Sequence, residues 1–195
     1  MKTVNVKIIF CLNLFISILS CKAQQTFPLR TAMDNVPNLS YLKDTNNELQ
    51  SFTGIYSSSY NGKQIILYIS KEENKFFDLG DKKIYRDILS IRYIVKNSAG
   101  NVLQDTQNMS FQSNQYTHTI YSQWVTDNGT KAIFNYRGSN CRVGWGKINL
   151  KKINITQISW EYRPNDIILD SSKCPSGTDI NIYLPETKDL IFTKQ

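Results

Sequence analysis

The sequence predicts an all-β domain, an antiparallel barrel or sandwich of about nine or ten strands preceded by a short helix. Three observations carry that expectation. From Phe52 onward, short runs of apolar residues alternate with polar ones, and a period of two marks a half-buried strand. Turn-forming strings such as Asn61-Gly62 and Asp127-Asn128-Gly129 separate the runs. The alternation leaves one wet face, which favours antiparallel pairing, and so many strands must curl or split into two layers.

The first stretch is organised differently. Lys2 and Lys7 stand at the start of an apolar run through Ile8, Phe10, Leu12, Leu14, Phe15, Ile18 and Leu19. A positive region before a short apolar one is the pattern of a secretory signal, and the run is shorter than the roughly 20 apolar residues a membrane helix needs. Residues 1–20 are therefore expected to be a signal peptide. Ile18-Leu19-Ser20-Cys21 resembles a bacterial lipobox, which implies a lipid on Cys21 and attachment to a membrane. Cleavage after Ala23 is the alternative, and it leaves a secreted protein. The expected location is the periplasm or the outer membrane, or the exterior if Cys21 is removed.

Removal of the signal leaves about 170 residues, the size of one domain. Residues 21–40, with Pro28 and Pro37 among small polar residues, read as a tether, and 41–195 as a single β domain. Losing Lys2 and Lys7 lowers the formal charge of +7 to +5, and losing Lys22 lowers it to +4. The remaining Lys and Arg are scattered rather than gathered into a stripe, so a nucleic-acid partner is not expected.

Thr45-Asn46-Asn47-Glu48 has capping-box spacing, with Leu49 and Phe52 falling on one helical face behind it. Gly54-Ile55-Tyr56 opens the first strand, and Asn61-Gly62 turns it into Gln64–Ser70, where Ile65, Leu67 and Ile69 share a face. Tyr85–Lys96 follows, with Ile91, Tyr93 and Val95 set against Arg92, Ile94 and Lys96. Further strands are expected over Asn101–Thr106, Gln115–Val125, Lys131–Arg137, Gly144–Ile153, Gln157–Arg163, Asp179–Pro185 and Leu190–Lys194. In Gln157–Arg163, Ile158, Trp160 and Tyr162 face one way; in Asp179–Pro185, Ile180, Ile182 and Leu184 do.

Cys11 belongs to the signal and Cys21 to the processing site, which leaves Cys141 and Cys174 as an even pair in an oxidising compartment. They are expected to form one disulfide. Its loop of about 34 residues contributes roughly 3–4 kcal/mol in the chain-entropy treatment. Two cysteines and the single histidine, His118, cannot supply a four-ligand zinc site, and no metal or cofactor is expected. His118 has no neighbour in sequence to orient it as a general base. The carboxylates sit mostly where Asp is favoured as a turn former. No catalytic residue is assigned, and a non-enzymatic protein is expected.

Gly144-Trp145-Gly146 is the most unusual string. Two glycines suggest a bulge or a close backbone approach. A bulge would turn Trp145 into the core, and that is the expected outcome. Without it, Trp145 shares the outward register with Lys147 and could join Trp124, Tyr121 and Tyr183 in a platform for stacking sugars or peptides.

A helix leading into a Gly-x-aromatic strand, over Thr45 to Tyr56, is similar to the opening of lipocalin-type barrels, with Tyr56 in place of the usual Trp. That resemblance implies a barrel able to hold a small apolar ligand. More broadly, Cys21-Lys22-Ala23-Gln24, Tyr41-Leu42-Lys43-Asp44, Asn61-Gly62-Lys63, Tyr85-Arg86-Asp87, Asn140-Cys141, Gln157-Ile158-Ser159-Trp160 and Ile182-Tyr183-Leu184-Pro185 resemble a family of uncharacterised exported proteins of Bacteroidetes-type bacteria. The resemblance implies export and a β domain and assigns no catalytic residue. The expected function is binding, of a small apolar ligand or a protein partner, with a sugar- or peptide-binding module as the alternative.

Overall fold

Short apolar-alternating segments joined by tight turns have to find neighbours for every backbone edge, and here a meander closes on itself. The computed structural model describes residues 23–112 and 115–195, so the expected signal, Cys11 and the lipidation candidate Cys21 lie outside the described residues. The strands are β1 (Thr26–Pro28), β2 (Tyr41–Lys43), β3 (Gly54–Tyr60), β4 (Lys63–Asp78), β5 (Lys83–Lys96), β6 (Val102–Asp105), β7 (Ile120–Thr126), β8 (Lys131–Tyr136), β9 (Gly146–Lys152), β10 (Gln157–Pro164) and β11 (Thr187–Lys194).

Eight of them, β3-β4-β5-β7-β8-β9-β10-β11, pair in that order, and β11 returns to β3 to close an antiparallel barrel. β6 pairs with β5, while β2 lies parallel to β5 and β1 parallel to β2. Of the two expected architectures, barrel and sandwich, the chain adopts the barrel, with eleven strands among the described residues.

The two closing seams are narrow. β11 ladders with β3 at Thr193↔Ser57 and Lys194↔Tyr56, with the Gln195 amide on the Ile55 carbonyl at one end and the Ser58 hydroxyl on the Ile191 carbonyl at the other, and β7 ladders with β5 at Ser90↔Tyr121. The barrel is thus two well-paired sheets, β3–β5 and β7–β11, stitched along two short edges.

In β4, β5 and β10 the faces expected to share one side point inward: Ile65, Leu67, Ile69, Ile91, Tyr93, Val95, Ile158, Trp160 and Tyr162 are all buried, as are Ile148 and Leu150 of β9. An eight-stranded barrel is just wide enough for its side chains to fill it, and aromatic rings do so here. Trp160 packs against Tyr162 and Phe192 at centroid distances of 6.1 and 5.7 Å, and Tyr136 against Tyr162 at 6.1 Å. The indole N–H of Trp160 donates to the Pro185 carbonyl at 2.9 Å. Tyr93 and Tyr136 join hydroxyls at 3.2 Å, and Tyr93 donates to Gln104 at 2.7 Å. Burial drives the hydroxyl pKa of all three tyrosines, Tyr93, Tyr136 and Tyr162, above the ordinary range.

At one end, the mouth, Asn61-Gly62 turns β3 into β4. Both residues hold positive φ, 48° and 72°, the backbone that a two-residue hairpin requires. At the other end, the base, residues 44–53 lie across the barrel with Leu49 and Phe52 buried beneath them.

Four expectations need correction. The helix at the base is only a single 3-10 turn, Gln50–Phe52. The residues leading into it are held by Asp44, which accepts the amides of Glu48 and Leu49 at 2.9 and 3.1 Å, in place of a Thr45–Glu48 box. Glu48 pairs instead with Arg30 at 2.9 Å. The stretch expected to be a tether is folded from residue 24 onward, because Leu29 and Val36 have core positions to fill and β1 has β2 to pair with. Finally, Asp179–Pro185 is not a strand. β10 already has β9 and β11 as neighbours, so no edge remains for it, and the segment crosses the mouth with Leu184 buried and Ile180 and Ile182 exposed. The strand expected from Gln115 likewise begins only at Ile120, since His118 adopts a positive φ of 63°.

A candidate binding site at the barrel mouth

Two segments outside the strands frame the mouth: 137–145, between β8 and β9, which carries a 3-10 turn at Asn140–Arg142, and 165–186, between β10 and β11. The expected disulfide, Cys141–Cys174, ties one to the other, with Cα atoms 5.4 Å apart. The Asn165 amide donates to the Trp145 carbonyl at 2.8 Å, and the Asn140 side chain donates to the Asp179 carbonyl at 3.0 Å. Gly144, at φ +76°, lies where a Cβ would meet the Tyr162 hydroxyl at 2.9 Å, and that hydroxyl donates to the Gly144 carbonyl. The long segment is therefore held down at its middle by sulfur and at its end by the buried Leu184 and by the Trp160 bond to the Pro185 carbonyl.

Between this segment and the Asn61-Gly62 turn opens a cleft of about 260 Å³. Tyr60, Lys63, Ile65, Tyr183, Leu184 and Glu186 line it. Tyr60 donates its hydroxyl to the Glu186 carbonyl at 2.9 Å, so one wall is bonded to the other. Tyr183 donates to Asp179 at 2.9 Å. That bond raises the Tyr183 hydroxyl pKa, while the Asn181 amide and the Tyr183 hydroxyl together lower that of Asp179. The Lys63 ammonium stands 5.7 Å from the Tyr183 ring centroid, a cation–π distance that fixes the ring without neutralising the charge. The lining is a mixture: two aromatic faces, an apolar floor, one ammonium and one carboxylate.

The four aromatics expected to form one platform are divided between two places. Tyr183 lines the cleft. Trp145 is on the same end of the barrel but outside it. It is 37% exposed rather than buried, with its indole N–H 3.4 Å from the Asp166 carbonyl. The close approach its glycines suggested is real, since a Cβ on Gly146 would lie 2.8 Å from the Arg163 carbonyl oxygen. No bulge follows, because β9 pairs with β10 in unbroken register from Gly146 to Lys152, and Trp145 stays outward.

Tyr121 and Trp124 lie on the outer face of β7 and serve the β5/β7 seam. The Leu89 amide donates to Ser122 Oγ at 2.8 Å, and the Arg86 guanidinium donates to the Gln123 carbonyl. Trp124, 50% exposed, lies 5.6 Å from that guanidinium, and the Lys75 ammonium stands 4.5 Å from the Tyr121 ring. Burial lowers the Arg86 pKa to about 10. These residues seal a gap that the backbone ladder leaves.

His118 is buried on the mouth rim with Nε2 3.3 Å from Asn140 Oδ1. Neither a serine nor a carboxylate hydrogen-bonds its ring among the described residues. Among the described residues no three His, Cys, Asp or Glu side chains gather as a metal cluster.

What the sequence reading missed is the partnership of Tyr60, Lys63 and Glu186 with Tyr183. Asn61-Gly62-Lys63 and Ile182-Tyr183-Leu184-Pro185 stood out as strings, but 120 residues separate Lys63 from Tyr183, and only barrel closure brings them together.

The fold and the site define a closed antiparallel β-barrel protein with a filled interior and a rim cleft. By sequence the chain belongs to DUF6705, a family of unknown function whose family model matches residues 1–195. Comparison with curated proteins and with solved structures yields no match in either.

Proposed function

We propose that this protein is an exported, envelope-associated binding domain, non-enzymatic, that takes a sugar or a short peptide segment in the mouth cleft. The observation that carries this reading is the pairing of Tyr60 and Tyr183 across a cleft that also holds Lys63 and Glu186. Aromatic faces with a few placed polar groups suit a ligand that is apolar on its flat faces and polar at its edges. The filled interior argues against a small apolar ligand inside the barrel, because Trp160, Tyr162, Tyr93 and Phe134 occupy that space.

Export accords with the signal-like residues 1–20 and with the disulfide, a bond that persists in oxidising compartments. β1 runs parallel to β5 and so toward the mouth, which places Gln24 at the base end. A lipid on Cys21 would therefore hold the domain by its base, with the cleft facing away from the membrane.

The test is isothermal titration of the mature protein with a panel of disaccharides and capped hexapeptides, repeated with Tyr183→Ala and Lys63→Ala. The expected result is saturable binding by a member of the panel, weakened at least tenfold by either substitution. Binding indifferent to both substitutions would overturn the site. Mass spectrometry of the mature N-terminus separates a lipidated Cys21 from a Gln24 start.

A further inference from the structure

The turn from β9 to β10, at the base, departs from ordinary turn chemistry. Turns favour Gly, Asn, Asp and Ser, yet residues 153–156 include two isoleucines, Ile153 half-exposed and Ile155 93% exposed. The polar groups of this turn are bonded within it. Asn154 Oδ1 accepts the Thr156 amide at 2.9 Å and the Thr156 hydroxyl at 3.0 Å. The Asn154 side-chain amide donates to Gln157 Oε1 at 2.9 Å, and the Ile153 amide to the Gln157 carbonyl at 2.9 Å. Ile155 is thus held out on a firm tip that leaves few of its own polar groups for water to satisfy.

Four lysines surround the tip. Lys131 and Lys151 stand directly opposite each other across β8 and β9, in the register that turns away from the buried Ala132 and Leu150. Like charges so placed repel. Lys152 follows and reaches Ser51 Oγ at 2.7 Å, while the Lys194 amide donates to the Thr156 carbonyl at 2.7 Å. None of the four forms an ion pair among the described residues, whereas the base carboxylates Glu48, Asp44 and Asp78 are matched by Arg30, Lys71 and Lys83. Self-repulsion and an exposed isoleucine at one place suit a surface that is negative at its face and apolar beneath it.

The chain also enters the described residues at this end. Ala23 and Gln24 precede β1, which runs from base to mouth, and the 22 residues before them hold the apolar run and Cys21. We infer that the base of the barrel is a docking surface for an anionic lipid bilayer. Ile155 and Ile153 enter the headgroup layer, and Lys131, Lys151, Lys152 and Lys194 lie against its phosphates. The inference rests on the base-anchored reading above for the side on which the membrane lies, and adds a contact made by the barrel itself. Interfacial binding combines buried apolar area with attraction to anionic lipid, and each lysine close to such a surface contributes about a fivefold gain in partitioning. Docking by the base orients the barrel, with the mouth cleft turned outward.

The experiment uses the chain from Gln24 to Gln195, which contains the whole barrel and lacks Cys21, so binding does not depend on a lipid. Its flotation is measured with vesicles of phosphatidylcholine alone and of three parts phosphatidylcholine to one of phosphatidylglycerol. The expected result is binding to the anionic vesicles only, weakened by salt. Lys151→Glu with Lys194→Glu is expected to lower it at least tenfold, and Ile155→Ser at least threefold. Ile168→Ser and Lys173→Glu, at equally exposed positions of the mouth, are expected to leave it unchanged. All these side chains are exposed, and thermal melts check that the variants fold. Absence of binding to the anionic vesicles overturns the docking surface, and so does a loss produced by the mouth variants. A dimer in sedimentation velocity that Ile155→Ser abolishes gives the tip to a second copy and overturns the lipid reading. A lipid on Cys21 of the exported protein, found without vesicle binding by the Gln24 chain, leaves the anchored reading standing and overturns this one.

Discussion

The Tyr41 hydroxyl donates to Asp87 Oδ1 over 2.5 Å, joining two residues 46 positions apart at the base of the barrel. The same carboxylate accepts the Asn74 amide at 3.0 Å and the Asp44 amide at 2.9 Å, and Asp87 is buried. Burial, followed by this bond, raises the Tyr41 pKa. Asp44 in turn accepts the Glu48 and Leu49 amides just before the 3-10 turn and lies 3.5 Å from the Lys71 ammonium. One carboxylate thus fastens β2, the bulge in β4 and the entry to the base turn. Replacing Asp87 with Asn is expected to destabilise the protein by about 2–3 kcal/mol, and Tyr41→Phe by about 1 kcal/mol, since buried donors left unpaired cost more than a donor removed. Urea denaturation of both variants measures the difference.

The seams predict a contrast. Ser122→Ala strands the buried Leu89 amide and is expected to cost about 1–3 kcal/mol. Ser58→Ala removes an exposed hydrogen bond across the β3/β11 seam, to the Ile191 carbonyl, where water replaces it, and is expected to stay within about 0.5 kcal/mol. Equal losses in chemical denaturation would contradict the distinction between a buried and an exposed seam bond.

Loss of the disulfide, by Cys141→Ser with Cys174→Ser, is expected to lower stability by about 3–4 kcal/mol, the chain-entropy value for a loop of this length. The cleft wall at 182–186 lies on the tethered segment, so ligand affinity is expected to fall with it. Calorimetry and titration with and without reductant check the two effects separately.

Alkaline pH supplies a further prediction. Tyr93, Tyr136 and Tyr162 keep their protons in the folded barrel above the ordinary value of 10.0, because burial penalises the phenolate. The unfolded chain loses those protons first, so the folded state binds more protons and stability falls as pH rises. The contribution is intact below about pH 10 and is lost progressively above it. Phenolate absorbance at high pH is expected to rise in step with unfolding, with these three tyrosines silent before it.

Much of the barrel was legible in the sequence because burial and alternation coincide there. Ile65, Leu67 and Ile69, or Ile158, Trp160 and Tyr162, can be read as inward faces with no knowledge of their neighbours. The same signal misled at Ile180, Ile182 and Leu184, since an extended segment crossing a barrel mouth alternates as a strand does. β4 runs on to Asp78, past the Ser70 limit that apolar alternation suggested. Its second half, Lys71-Glu72-Glu73-Asn74-Lys75, shows no apolar period and is held by a bulge and by Asp87. The base turn was placed correctly, but its cap was assigned to Thr45 and Glu48 because the box spacing is local, whereas Asp44 is recruited by Lys71 and by its own neighbours at the base. The disulfide was legible by elimination. The cleft was not, because Lys63 and Tyr183 meet only after closure.

The most direct measurement of the central claim, a filled barrel that binds at its rim, is a ¹H–¹⁵N shift map of the mature protein titrated with the panel of disaccharides and capped hexapeptides. The account predicts shifts confined to Ser58–Lys63 and Ile182–Ile191. Shifts centred on Leu67, Tyr93, Phe134 and Trp160, in the barrel interior, would contradict it.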